Sequence, residues 1–252
     1  MAQQCHPCAS VAWVTSALDE KTAEKAIVLA GSLKRVQTRG KLVVIISSTI
    51  PENHRDRLYE IFDLVQLMQC SIANGVTSED KAKAFAFSIC LFKRCVYLSP
   101  TTLVLRRCDE LFEFPTSEST IIRLPKSENQ VRDSSVFCFS PSTIHFQTLN
   151  KIIKGCSNKS CNNSEGFVKI IGNYAHNNQL EIGEMPKLYN QRITVEPSQR
   201  FDGCIEDLAI INFGDIDPKL IFQDMTSSAS KGLLESVCVL SHHHYLAPHL
   251  RT

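Results

Sequence analysis

The chain lacks net charge, long apolar runs and an even set of cysteines, and each lack excludes a class of protein. Its 252 residues carry 27 basic and 26 acidic side chains, a formal net charge of +1, so no global field draws it to nucleic acid or an anionic membrane. Arg35, Arg39 and Lys41 lie close in sequence, but no stripe of aromatic and basic residues accompanies them. No stretch reaches the roughly eighteen apolar residues of a membrane-spanning helix, and the N-terminus lacks the charged and apolar regions of a signal peptide. Cytosol or nucleus is the expected location. The 11 cysteines are scattered, and Cys90, Cys95, Cys138 and Cys238 sit inside apolar runs. Reduced, mostly buried thiols fit this pattern better than a disulfide framework. No internal repeat is present, and Ser227 to Ser230 is the nearest approach to low complexity.

A hydrophobic content of 43% over 252 residues is enough to bury a full core in one domain. The expected division is a tail over 1–10, a domain over 11–240 and a second tail over 241–252. Val11 to Thr15 and Lys41 to Ser47 are short apolar runs that read as buried parallel strands. Between them, Ala23, Ala26, Ile27, Ala30 and Leu33 recur at helical spacing within Asp19 to Arg35, which completes a βαβ unit. A helix over Asn53 to Phe62 and a strand over Leu64 to Met68 follow. A further helix is expected over Asp80 to Lys93, and Cys95 to Leu98 with Leu103 to Leu105 reads as a strand and its continuation. This alternation predicts an α/β fold: an open, mostly parallel sheet with helices on both faces.

After residue 115 the pattern loosens. Ile121-Ile122 and Ser135 to Phe139 are expected strands, Ser142 to Ile153 a helix, and Gly155 to Asn163 a polar loop rich in Cys, Asn, Ser and Lys. Leu208 to Phe213 is a late strand, and Lys231 to Leu240 a final helix.

Several blocks carry a resemblance. They are Ala12-Trp-Val-Thr15, Ala30-Gly-Ser-Leu-Lys34, Lys41-Leu-Val-Val44, Arg94-Cys-Val-Tyr-Leu98, Thr102-Leu-Val-Leu105, Asp109-Glu-Leu-Phe112, Asp133-Ser-Ser-Val-Phe137, Leu188-Tyr-Asn190 and Ile211-Asn-Phe-Gly214. In wording and order, over about residues 11 to 215, they resemble glycogenin and its relatives in glycosyltransferase family 8. The competing reading is an unrelated doubly wound α/β domain. The resemblance implies a GT-A-type nucleotide-diphospho-sugar transferase fold. It also implies a divalent cation on the donor diphosphate, held by an Asp-x-Asp motif and a later histidine. Ser99-Pro-Thr101 stands in place of that motif, and Asn212 in place of the histidine.

A hard cation needs anionic oxygen ligands, and a charge pair at 4 Å is worth about 4 kcal/mol near a protein surface. Loss of the carboxylates at Ser99 and Thr101 therefore removes the grip on the ion. By the same resemblance, Ser164 replaces an aspartate near the reacting sugar, Asp133 an asparagine that contacts it, and Thr22 a tyrosine that stacks on uracil. The tyrosine that accepts glucose has no counterpart in Ile193 to Phe201, whereas Lys83 keeps a lysine beside the donor. Together these changes predict a catalytically inactive scaffold or adaptor. It would use no cofactor, act through protein partners without direct contact to nucleic acid or membrane, and form the homodimer that the resemblance implies. The alternative is an active, metal-independent hexosyltransferase with a nucleotide-sugar donor, in which Lys83 with Arg106 or Arg107 neutralises the diphosphate.

Other motifs weigh less. Cys5 and Cys8 with Cys156 and Cys161 could form a four-thiolate zinc site, but the second spacing is unusual and the first pair lies near a terminus. His242 to His244 with His249 reads as a solvated tail before a metal site. Glu165, Asp133 and Asp202 are candidate acid/base carboxylates that no spacing pairs. Phe85, Phe87 and Phe92 are expected in the core, with Phe87 as a partner anchor should it point outward.

Overall fold

The computed structural model describes residues 11–69, 76–114, 119–125, 133–155, 166–192 and 207–214. Its centre is built from β1 (Val11–Ala17), β2 (Lys41–Ser47) and β3 (Leu64–Met68), with α1 (Glu20–Arg35) and α2 (Glu52–Ile61) as the crossovers. β1 and β2 are buried along almost their whole length, as strands covered on both faces must be. α1 begins at Asp19, whose side chain accepts from Thr22 N at 2.7 Å while the Thr22 hydroxyl reaches back to Asp19 N, closing a capping box.

α3 (Ser78–Ala86) precedes β4 (Arg94–Leu98) and the short β5 (Thr102–Val104). α3 starts earlier and ends well before Lys93. Phe87 N and Ser88 N bond back only three residues, and the Ser88 hydroxyl takes the Phe85 carbonyl at 2.7 Å, so the chain leaves the helix in turns. β6 (Thr120–Pro125), β7 (Val136–Phe139), α4 (Thr143–Gly155), α5 (Gly166–Asn177) and β8 (Glu181–Met185) follow, then β9 (Gln191–Arg192) and β10 (Ile210–Asn212). Sequence patterning missed α5 and β8. The expected final helix over Lys231 to Leu240 lies outside the described residues, as do most of the Gly155 to Asn163 loop and both tails.

The main sheet has seven strands in the order β3-β2-β1-β4-β7-β6-β8. All its pairings are parallel except those of β7, which runs antiparallel to β4 and β6. β5 is no continuation of β4. It joins β9 and β10 in a separate three-stranded sheet, because the chain turns at Ser99–Pro100 and Pro100 has no backbone donor for a ladder.

Alternating side chains divide the core. Ala12, Val14, Val43, Ile45, Tyr97 and Phe137 pack toward α3, α4 and α5, whereas Trp13, Leu42, Val44, Val96 and Cys138 belong to the cluster that holds Ala26, Ile27 and Leu33 of α1. Phe87 is fully buried against Phe139 with ring centroids 4.8 Å apart, so it anchors the core and not a partner.

Candidate active site

In an open parallel sheet the strand order reverses at one point, and helices on opposite faces leave a crevice beyond the C-terminal ends of the two strands there. Here β1 has β2 and β3 on one side and β4 on the other. Ser16 and Tyr97, near the ends of β1 and β4, mark the floor of the crevice, with their hydroxyls 2.9 Å apart.

Four segments meet at its β4 edge. Ser99 follows β4, and its N–H donates to the carbonyl of Ser135, which precedes β7. β5 and β10 pair so that Asn212 lies opposite Thr102, and Phe213 N donates to the Thr101 carbonyl at 3.0 Å. α3 brings Glu79 on its first turn and Lys83 on its last. Ser99 and Thr101 hydroxyls are 3.1 Å apart, Thr101 Oγ1 donates to Asn212 Oδ1 at 3.1 Å, and Asn212 Nδ2 donates to Asp133 Oδ2 at 3.3 Å. At the other end, Ser99 Oγ lies 3.1 Å from Glu79 Oε1.

Lys83 is buried, only 6% exposed, and its Nζ pairs with Glu79 at 3.1 Å and donates to Ser134 Oγ at 3.2 Å. Glu79 is open, with 41% of its side chain exposed. Asn212 Oδ1 also accepts from Gly214 N at 2.9 Å, and Gly214 takes a left-handed φ of 56°, which glycine adopts without steric cost. Lys25 of α1 reaches the Gly214 carbonyl at 3.5 Å, which ties the β1 side of the crevice to the β10 side.

The structure thus brings together Ser99, Thr101, Asn212, Asp133 and Lys83. Thr22 is occupied by the cap of α1, and Ser164, Glu165, Asp202, Cys5, Cys8, Cys156, Cys161, residues 193–206 and the late histidines lie outside the described residues. Arg107 is elsewhere. It pairs with Asp109 at 2.6 Å, and Asp109 accepts from Thr38, beside Trp13 near the start of β1, at the opposite end of the sheet. Arg106 is its sequence neighbour.

Two carboxylates, Glu79 and Asp133, terminate the hydroxyl and amide line. Asp133 was expected here, in place of an asparagine that contacts the sugar. Glu79 was missed, although its spacing of four residues from Lys83 on a helix is a readable ion-pair signal. Neighbouring Asp80 is buried, accepts from Phe167 N at 3.1 Å, and its pKa is raised by that burial. Tyr97 is also pushed well above its ordinary value, by burial first and by Glu79 next.

The divalent cation that the resemblance implies does not fit these side chains. Its three expected positions hold neutral oxygens, with the Ser99 hydroxyl against Glu79 and the Thr101 hydroxyl donated to Asn212, and the ammonium of Lys83 already stands on Glu79. Among the described residues no three His, Cys, Asp or Glu side chains gather as a metal cluster.

The fold is that of the GT-A nucleotide-diphospho-sugar transferases. It is similar to glycosyltransferase GlyE of Streptococcus pneumoniae TIGR4 at a TM-score of 0.63, with 17% identity, over 94% of this chain and 63% of that one. The galactosyltransferase LgtC, in complex with donor and acceptor sugar analogs, matches at a TM-score of 0.61 and 12% identity, over 91% of this chain and 96% of its own. By sequence the chain is similar to glycogenin-1. The Caenorhabditis elegans protein is 32% identical over 154 residues, 56% of this chain and 34% of its own length. Mouse glycogenin-1 is 26% identical over 152 residues, 56% of this chain and 44% of its own. The chain therefore spans less than half the length of these relatives. No protein-family model matches it.

The expectation of a non-enzyme is overturned: the chain is similar in sequence to glycogenin-1, at 32% identity over the matched residues, and carries the fold of glycosyltransferases. Lys83, placed beside the donor by the resemblance, is buried at the edge of the crevice. No helix among the described residues is long and apolar enough to cross a membrane.

Proposed function

We propose that the chain transfers a hexosyl group from a nucleotide-diphosphate sugar without a divalent cation. In such a transfer the bond from the anomeric carbon to the diphosphate oxygen breaks and the electron pair leaves with the diphosphate. A bond from the anomeric carbon to an acceptor hydroxyl oxygen forms, and the hydroxyl proton passes to the departing diphosphate or to water. The barrier falls where positive charge or hydrogen-bond donors meet the departing oxygens. Lys83 is the observation that carries the reading. A buried ammonium fixed at the C-terminal end of β4, in the switch-point crevice, can supply charge that is already desolvated.

The remaining groups have complementary parts. Ser99 and Thr101 are neutral donors at the same edge, and Asp133 is an anionic acceptor suited to sugar hydroxyls. LgtC, crystallised with donor and acceptor sugar analogs on the same fold, supports the substrate class. Arg107 takes no part in this reading, because its partner Asp109 lies at the far end of the strands.

The test is incubation of the chain with UDP-glucose in excess EDTA, with products followed by mass spectrometry. Release of UDP with free glucose or a glucosylated acceptor, at a rate unchanged by EDTA, is expected. No product in EDTA, with product once manganese is supplied, would refute metal independence; no product under either condition would refute transfer from this donor.

A further inference from the structure

Glu79 and Ser99 present a proton-counting problem. Two hydroxyls, on Ser99 and Thr101, carry one proton each, yet three contacts ask for one: Ser99 to Glu79, Ser99 to Thr101, and Thr101 to Asn212. With Thr101 committed to Asn212 and Ser99 to Glu79, the contact between the hydroxyls holds no proton. One oxygen of Glu79 is thus the shared acceptor of both the Ser99 hydroxyl and the Lys83 ammonium. Both are the groups on this edge that could donate to an incoming anion.

We infer that Glu79 is an internal stand-in for the anionic ligand of this crevice, occupying Lys83 and Ser99 until a phosphate-bearing ligand displaces it. The inference rests on the proposed donor site for its ligand class and goes beyond it in assigning Glu79. Three features of Glu79 suit the role. It sits on the first turn of α3, where a helix N-terminus tolerates an acid. Its side chain is far more exposed than that of Lys83, 41% against 8%, so on release it returns to water while the lysine stays in place. Ser134 holds Lys83 independently of Glu79 at 3.2 Å, so the ammonium does not need Glu79 for its position. A carboxylate and a diphosphate cannot share one ammonium without repulsion, and affinity for the ligand is lowered by the cost of turning Glu79 out.

The arrangement differs from a positioning role for Glu79, in which its loss would weaken binding. Calorimetric titration of UDP, and separately of inorganic pyrophosphate, into the full chain in EDTA distinguishes the two. Glu79→Gln keeps the size and removes the charge. It is expected to tighten both ligands by about three- to tenfold, the range set by a partly exposed charge acting on a multiply charged ligand. Glu79→Gln combined with Lys83→Met is expected to lose that gain, with thermal unfolding showing that the variant is folded. Unchanged or weaker binding by Glu79→Gln overturns the inference, including the case in which neither ligand binds. Tighter pyrophosphate with no UDP binding leaves the inference standing and sinks the nucleotide-sugar reading. UDP bound equally by native chain and Glu79→Gln does the reverse.

Discussion

The two ends of β1 and β4 each carry a polar network, and they are built on different plans. At the N-terminal end, Trp13 donates to Thr38, Thr38 to Asp109, and Asp109 also takes the Arg107 guanidinium and the Arg39 N–H, while Arg39 pairs with Glu113. Gly40 fits beneath it because a side chain there would meet Trp13 and Phe112 at 2.7 and 2.8 Å. This network closes: its central anion has several donors, and its parts pin the segments around Thr38 and Asp109 to the edge of the core. At the C-terminal end a line runs from Lys83 through Glu79, Ser99, Thr101 and Asn212 to Asp133; its three hydroxyl contacts share only two protons, and its cation is more buried than its counter-ion. A closed network serves the fold, whereas one with a spare contact and a sequestered charge is what the proposed ligand site requires.

The sharpest way to break this comparison is to remove one charge from each end. Lys83→Met should lower turnover of UDP-glucose by about a hundred- to a thousandfold, the usual loss when a donor to a developing anion is deleted. Its melting temperature should hardly move, since Met fills the stem and Glu79 is free to hydrate. Asp109→Asn should do the opposite, with about 1–3 kcal/mol of stability lost in urea unfolding and the rate per folded molecule kept, because Thr38 and Arg107 lose a charged acceptor.

The same residue sharpens the contrast through pH. Burial pulls the Asp109 pKa up, but the hydrogen bonds from Thr38 and Arg107 outweigh it and hold the group below its usual 3.8. A depressed carboxyl stabilises the native state above its unfolded pKa, and that contribution vanishes as pH falls from 3.8 through the folded value. Acid unfolding of Asp109→Asn should therefore show a shallower decline over that window than the native chain; an identical profile would remove Asp109 from the account. The smallest expected effect is at Thr22. Its hydroxyl closes the α1 cap, so Thr22→Ala should cost about 1 kcal/mol in thermal unfolding and leave the KM for UDP-glucose unchanged. A rise in KM would mean that Thr22 touches the donor as well.

How much of this was legible in the sequence depends on how far apart the interacting residues lie. The βαβ units were readable because apolar runs and helical spacing are local. β5 was misassigned because Leu103-Val-Leu105 is apolar like the strand before it, and only the partner strand, a hundred residues later, shows which sheet it joins. α5 carries Phe167, Ile170, Ile171 and Tyr174 at helical spacing, a signal that stood in the sequence and was passed over beside a long polar loop. Within the site, Ser99, Thr101 and Asn212 are singled out through resemblance to glycogenin, and in the structure the three side chains lie in contact. Sequence could not show that Asp133 and Glu79 cap the line from either side, since their placement depends on β7 and α3 packing against the end of β4. The changed metal-ligand positions and Lys83 were visible through the resemblance, while the burial of Lys83 and its pairing with Glu79 are tertiary facts.

On the proposed mechanism Lys83 supplies the positive charge that a divalent cation would otherwise bring to the diphosphate. Initial rates of UDP release from UDP-glucose, for the native chain and Lys83→Met in EDTA, decide it. Steady release by the native chain and its loss in the variant are expected. Equal rates in the two proteins, or release by neither, would contradict it.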